Sequence, residues 1–347
     1  MNKIGPTLTK IFFDEESLLY KLEEICEEQK NKKLGKKEKL TSFNELIQNF
    51  NEALEKEHNE ISLPLNFKYR INKIDAENCK VLTKDGKHIE LELSLKNVDP
   101  MGDNFIINYY NDQDIRMSLV TMELFNILRT IWIENNLHLK MSLYDVMPTG
   151  RNKGIIELIS DSQVFDDMPI KEKAGHKNLL GKRSLRKYLT LNSGISPEEF
   201  YDNFITSNVA YCVANYVLGV TQRNKKNLNM KKNGEIFYTS YDHLLNHYSK
   251  MLGDRGIPFF FNITFVDFLS EKEENFKTFK ELYMKAYLIL RNKSKDLIEL
   301  LEIMLSSGLP ELSQKSLQYL EDTLALNKTE DDAKELINNV LSYIMSK

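Results

Sequence analysis

YCVANYVLGVTQRNKKNLNM, residues 211–230, carries the chain out of a helix and into a hairpin. Its first half completes the helical spacing of residues 197–217. Its last residues open NLNMKKNGEIFYTSY (227–241), a hairpin pattern with an Asn233-Gly234 turn. Up to about residue 160 the chain is rich in strand patterns, and beyond it the patterns are mainly helical. That order predicts an α+β protein of two lobes, with the lobe boundary near Ser160.

Working toward the N-terminus, GIIELIS (154–160) reads as a short buried strand and SLVTMELFNILRTIWIENN (118–136) as a strongly amphipathic helix. DNFIINYYN (103–111) reads as a strand. CKVLTKDGKHIELELSL (79–95) alternates at Ile89, Leu91, Leu93 and Leu95 and holds an Asp85-Gly86 turn, which predicts a hairpin. Residues 14–58 place Leu18, Leu19, Leu22 and Ile25, then Leu46, Ile47, Phe50 and Leu54, at amphipathic-helix spacing. The basic run NKKLGKKEKL (31–40) between them reads as a solvated loop or helix end. Toward the C-terminus, helical spacing recurs over 184–191, 265–269, 272–305 and 311–342, and SGLPEL (307–312) reads as a helix stop, a turn and a new start. The expected domains are an N-terminal helical segment (1–60), a strand-rich lobe (61–160) and a helical lobe (161–347).

With 347 residues, 41% of them apolar, the chain can bury a large core, and 28% charged residues do not make it a disordered polyelectrolyte. The 47 basic and 51 acidic residues leave a net charge of −4, so nothing in the overall charge points to nucleic acid. No apolar run approaches the roughly 18–20 residues of a membrane span. MNKIGPTLTKIFFDEESLL at the start does not read as a signal peptide. Three scattered cysteines, Cys26, Cys79 and Cys212, form neither a disulfide framework nor a zinc motif, and predict a reducing, cytoplasmic compartment.

Walker A, GxSxG, HExxH, EF-hand and GxGxxG patterns are all missing. His243 and His247 stand four apart, a spacing that suits one helix face; a metal site there needs further ligands, and the alternative is one packed and one exposed histidine. Asp112, Gln113 and Asp114 read as N-caps of the following helix, with cation binding as the alternative.

One family shares this arrangement. The opening stretch resembles the catalytic-loop region of phosphoinositide 3-kinase catalytic subunits. LPLN (63–66), KNVDP (96–100), IRMSLVTMELFNILRTIW (115–132), LHLKM (137–141) and MPTGRNKGIIELI (147–159) follow the family's order, as do KAYLILR (285–291), MLSSGLPEL (304–312) and TLALNKTEDDA (323–333). The resemblance runs from about residue 14 onward and is strongest to class I and class III enzymes. It implies a bilobal lipid-kinase fold with a β-rich N-lobe, a helical C-lobe and an ATP cleft. The family's adaptor-binding, Ras-binding and C2 domains and its final membrane-contacting helix find no counterpart, and only the end of the helical-domain connection is expected in 14–58.

Phosphoryl transfer needs a lysine on the nucleotide phosphates, a carboxylate and an asparagine on magnesium, and a base for the attacking hydroxyl. Carried over position by position, the resemblance puts Tyr110 where the family has its strand lysine and Ser118 where it has the acidic partner. The catalytic-loop Asp and His fall on Gln222 and Asn224, and the DFG Asp on Ser240. Arg223, the metal-binding Asn227 and His243 are retained. In the adenine pocket the resemblance puts polar Asn108, Asn229 and Thr239 at apolar family positions, while Tyr144 and the hinge strand Glu157-Leu158-Ile159 remain. After His243 few basic residues follow, chiefly Lys250 and Arg255, which weakens recognition of a phosphorylated headgroup.

Losing a base costs about 10²–10⁴ in rate, and losing the cation clamp adds to it. The expectation is a catalytically inactive, cytoplasmic pseudokinase that works as a protein-binding or structural unit within phosphoinositide signalling, with no cofactor. Its expected partner is another protein rather than nucleic acid, with no transmembrane segment and no membrane-contacting helix. A decoy engaging a phosphoinositide kinase's partners is a variant of this reading. The alternative is a non-standard phosphatidylinositol kinase using ATP and Mg²⁺, with Asp242 and Asn227 on the metal and Lys84, Lys87, Lys225 or Lys226 on the phosphates.

Overall fold

A computed structural model describes residues 5–31, 36–56, 60–84, 88–168, 194–220, 225–241, 243–245, 263–270, 272–309 and 312–345. The chain divides into two compact units: Met1–Met122 with Tyr144–Ser160, and Glu123–Leu143 with Asp161–Lys347.

In the first unit, seven antiparallel strands form one sheet. They are β1 (Ile61–Leu63), β2 (Asn66–Ile74), β3 (Lys80–Lys84), β4 (His88–Asn97), β5 (Phe105–Asn111), β6 (Val146–Gly150) and β7 (Lys153–Leu158). The order is β1-β2-β4-β5-β7-β6, with β3 paired to β4. The β3–β4 hairpin holds the register Val81↔Leu91 and Lys84↔His88, as the alternation predicts; its turn, 85–87, lies outside the described residues. Ile89, Leu91, Leu93 and Leu95 all point into one core. Two helices supply the other side of that core. α1 (Pro6–Asn31) contributes Leu18, Leu22, Ile25 and Cys26, and α2 (Lys36–Lys56) contributes Phe43, Ile47, Phe50 and Leu54. Each such side chain stabilises by about 1.5–3 kcal/mol relative to exposure. Leu19 and Leu46 are only partly buried at the rim of this core. The basic run between the helices begins α2 at Lys36.

Polar contacts fix the helices on the sheet. Lys30 pairs with Asp112 and Lys153 with Glu23. Asn51 of α2 clasps the β2 backbone twice: its Nδ2 donates to Ile74 O and its Oδ1 accepts from Ile74 N, each at 2.8 Å. Asp114 behaves as a cap, accepting from Arg116 N at 3.0 Å. Asp112 does not: it sits at φ +81 and serves the distant Lys30. On β7, a Cβ on Gly154 would lie 2.2 Å from Ile115 Cδ1 and 2.6 Å from Met147 O, so only glycine fits.

Helix α3 (Arg116–Glu134) spans the division between the units. In the second unit, α4 (Pro197–Val217) starts where its sequence says: Ser196 Oγ accepts from Glu199 N at 3.1 Å, and Pro197 needs no donor in the first turn. Nearly every residue of α4 from Phe200 onward is buried, the mark of a central helix. A three-stranded sheet, β8 (Ser162–Val164), β9 (Leu228–Lys231) and β10 (Ile236–Tyr238), is ordered β10-β9-β8. The predicted β9–β10 hairpin turns at Gly234, φ +90. α5 (Ile263–Leu269) sets Phe265 and Phe268 edge-on against Phe204.

The helical pattern over 272–305 is two helices, α6 (Glu273–Asn292) and α7 (Ser294–Leu305), separated by Lys293. That over 311–342 is also two, α8 (Gln314–Thr323) and α9 (Glu330–Met345). A one-residue break leaves apolar spacing intact, so periodicity cannot see it. The second break has a local signal: Thr329 and Asp332 cap one another at the start of α9. The helix predicted over 184–191 lies outside the described residues. Trp132, fully buried, donates its Nε1–H to Ala286 O at 3.0 Å. Among the described residues, no helix is long and apolar enough to cross a membrane.

Candidate functional site

The chemistry-bearing positions of the first unit gather on β4 and β5. Cross-strand register sets Tyr110 opposite Glu90 and Asn108 opposite Glu92. Glu90, Asn108 and Tyr110 are 4%, 8% and 8% exposed, so their polar groups are withdrawn from water. Asn108 Nδ2 lies 3.4 Å from Glu90 Oε1 and 3.4 Å from the Tyr110 hydroxyl. The Tyr110 phenol thus faces the Glu90 carboxylate across the ladder. Burial first, and then the Glu90 charge, hold the Tyr110 phenol well above its ordinary range, and the nearby Tyr144 adds to this. Position 110 therefore offers a buried hydroxyl beside an acid.

Ser118 is buried in the first turn of α3. Arg116, two residues earlier, turns back on Asp114 through Nε at 3.0 Å and Nη2 at 2.6 Å. Its hydrogen bonds hold the Asp114 carboxyl below the usual range. In β7, Glu157 Oε2 accepts from Asp145 N at 3.0 Å and Glu157 N donates to Asp145 O at 2.9 Å. Burial raises both acids above their ordinary values. Ile159 is half-buried at the end of this segment.

In the second unit, α4 runs into Leu218, whose N–H donates to Ala214 O at 2.9 Å, and Val220 N donates to Asn215 O at 3.1 Å. Gln222, Arg223 and Asn224 lie outside the described residues, as do Asp242, His247, Lys250 and Arg255. Asn227, Asn229 and Thr239 come together. Thr239 N donates to Asn227 O at 2.8 Å, and Asn229 Nδ2 lies 3.3 Å from Thr239 Oγ1. Asn229 is 7% exposed, so this amide–hydroxyl pair is part of the packed hairpin floor. Ser240 follows at φ +63 and is exposed. Tyr241 is buried edge-on against Phe125, 5.3 Å between centroids. His243 is half-buried, and two residues on Leu245 N donates to Leu218 O at 2.7 Å. Among the described residues, no three His, Cys, Asp or Glu side chains cluster closely enough to hold a metal ion.

The family model for phosphatidylinositol 3- and 4-kinase matches residues 104–314, which take in every one of these positions except Glu90 and Glu92. The chain belongs to the phosphatidylinositol 3- and 4-kinase family. It is 30% identical over 284 residues, 79% of its length, to the phosphatidylinositol 3-kinase C2 domain-containing subunit gamma of Homo sapiens. It is 29% identical over 294 residues, 82% of its length, to phosphatidylinositol 3-kinase 1 of Dictyostelium discoideum. These stretches make up 19% of each of those two relatives, so the chain spans about a fifth of their length. An antiparallel sheet unit followed by a helical unit, within an α+β class, is the architecture of this kinase domain.

Glu90 is the residue the sequence did not single out. Alternation at Ile89, Leu91, Leu93 and Leu95 assigns Glu90 to a polar, solvent-facing row, yet the row is buried at Glu90 and Ser94. The available signal is β5 itself: FIINYYN buries five consecutive residues from Ile107 to Asn111, so the sheet is covered on both faces there.

Proposed function

We propose that this member of the family is a pseudokinase: a phosphoinositide-3-kinase-like domain that serves as a protein-binding or structural unit without transferring phosphate. The observation that carries the reading is the buried Tyr110 phenol, which stands opposite the buried Glu90 across the β4–β5 ladder. By the family resemblance, position 110 is where an ammonium steadies the nucleotide phosphates, and a phenol beside a buried acid cannot neutralise them. The polar Asn229–Thr239 pair supports the same reading, because it places an amide and a hydroxyl at positions that are apolar in the family. Three buried cysteines, none of them in a disulfide, suit the reducing cytoplasm in which this reading places the protein.

The test is the melting temperature of the purified chain with and without saturating Mg-ATP, together with phosphate transfer from ATP to phosphatidylinositol vesicles. Ligand at 100-fold over its Kd stabilises by about 2.7 kcal/mol, which is a resolvable shift. Neither shift nor turnover is expected. A magnesium-dependent shift that disappears in Asn227→Ala, with turnover that disappears in Asp242→Asn, would instead establish the non-standard kinase.

A further inference from the structure

Helix α1 carries apolar side chains of two kinds. Leu18, Leu22, Ile25 and Cys26 are buried in the core of the first unit. Leu8, Phe12, Phe13 and Tyr20 are each more than half exposed. At roughly 100° per residue, Phe12, Phe13 and Tyr20 fall on the side of the helix away from Leu18, with Leu8 at the margin of the same stripe. They are four of the ten large apolar side chains exposed among the described residues, and all four lie within thirteen positions of one helix. Scattered exposed apolar residues are ordinary, whereas a contiguous stripe of them marks a contact surface.

Shape and charge along the stripe fit a second copy of itself. Laid antiparallel, two α1 helices set Phe12 of each against Phe13 of the other, Tyr20 against Gly5, and Glu16 against Thr9. Gly5 is exposed, and nothing lies within 4 Å of where its Cβ would stand, so the Tyr20 ring meets open space there. Glu16 is the one charge in the middle of the stripe, and it is exposed. The same pairing brings it to the exposed Lys10 of the other copy, beside Thr9, and symmetry makes this match twice. A parallel pair would instead set Glu16 on Glu16. A lipid surface fits less well: from Lys10 to Glu24 the helix carries five carboxylates and two ammonium groups, which an anionic bilayer repels.

We infer that two copies of the chain associate through α1, antiparallel, with Phe12 and Phe13 at the centre and Lys10 against Glu16 on either side. The size of the contact sets its strength. A buried aromatic covers about 150–250 Å², so the exposed parts of four large side chains give roughly 400 Å² per copy and about 800 Å² for the pair. That lies below the roughly 1,200–2,000 Å² of a stable complex, even before the polar flanks are added. The dimer is therefore reversible, and monomer and dimer exchange with concentration. The surface is separate from the β4–β5 network and does not depend on whether the chain turns over ATP.

The test is sedimentation of the full chain at concentrations from about 1 μM to about 1 mM. A shift from monomer to dimer is expected, with no larger species, because a two-fold contact closes on itself. The variant Phe12→Glu/Phe13→Glu changes two exposed positions, and an unchanged melting temperature in dilute solution checks its fold; it is expected to stay monomeric throughout. Lys10→Glu and Glu16→Lys are each expected to weaken the dimer about tenfold, since each sets like charges together twice. Mixing these two variants restores both opposite-charge pairs and is expected to restore the dimer. A chain that stays monomeric to the highest concentration overturns the inference. So does a dimer that survives Phe12→Glu/Phe13→Glu, or one that the mixture fails to restore. Pelleting of a monomeric chain with phosphatidylcholine–phosphatidylserine vesicles also overturns it, and gives the stripe to a lipid surface.

Discussion

Tyr110 faces Glu90 across the β4–β5 ladder, and the Asn108 amide stands 3.4 Å from both. Removing the hydroxyl takes an acceptor from the buried Asn108 amide, so Tyr110→Phe is expected to lose about 1–3 kcal/mol of stability. Tyr110→Lys sets an ammonium against the same acid and is expected to lose less. Urea unfolding of the two variants beside the wild type measures both. A Phe variant as stable as wild type would mean that the network contributes nothing to the fold.

Glu157 gives a pH dependence whose sign follows from its surroundings. Burial raises it from its ordinary 4.5, the hydrogen bond from Asp145 N pulls it back, and the Asp145 charge raises it again; the net direction is upward. A carboxyl raised in the folded state favours folding while protonated. That contribution is complete below the unfolded value and is lost as pH rises through the folded one. Glutamine keeps the acceptor for Asp145 N and never ionises. Glu157→Gln is therefore expected to gain on the wild type as pH rises from acid to neutral. Chemical denaturation across that range checks it, and a difference that is flat, or grows toward acid, excludes the assignment.

Gly154→Ala is expected to destabilise by about 1–3 kcal/mol, because the added methyl meets a carbonyl oxygen that cannot rotate away. The variant Gly150→Ala, on the neighbouring strand, is the control: the nearest atom to its Cβ is Lys153 Cδ, 4.0 Å away. Comparable losses at both positions would show that backbone conformation, not the contact with Met147 O and Ile115, sets the cost.

All three thiols are buried, and burial pushes Cys26 up to about 12 and Cys79 up to about 11. The thiolate is the reactive form, so native protein at pH 8 is expected to resist iodoacetamide and to take up three equivalents only in denaturant. Rapid labelling of Cys26 or Cys79 without denaturant, read by mass spectrometry, would place that thiol in a more open setting than the core of the first unit.

The elements most legible in the sequence are those with a punctuation mark. Ser196-Pro197-Glu198-Glu199 announces α4 to the residue, and Asn233-Gly234 announces the β9–β10 hairpin. The strands β1, β6 and β8 were not legible as separate elements: each is five residues or fewer, too short for alternation to register. Asp112 shows the limit of local reasoning, since a capping role looked natural and its ion-pair partner, Lys30, is 82 residues away. Within the candidate site, substitutions such as Tyr110 and Ser118 were readable by position. What Tyr110 faces was not, because the register that brings Glu90 to it is a property of two paired strands.

The buried Trp132 has a consequence for how the chain is made. It is the only tryptophan, and its indole N–H waits for a carbonyl 154 residues further along. At roughly 5–20 residues per second, a ribosome holds that donor without its acceptor for about eight to thirty seconds. The emission of a single fluorophore therefore records the moment at which the helical unit closes on itself, and a nascent chain halted before Ala286 will carry its tryptophan in water or in a half-built core.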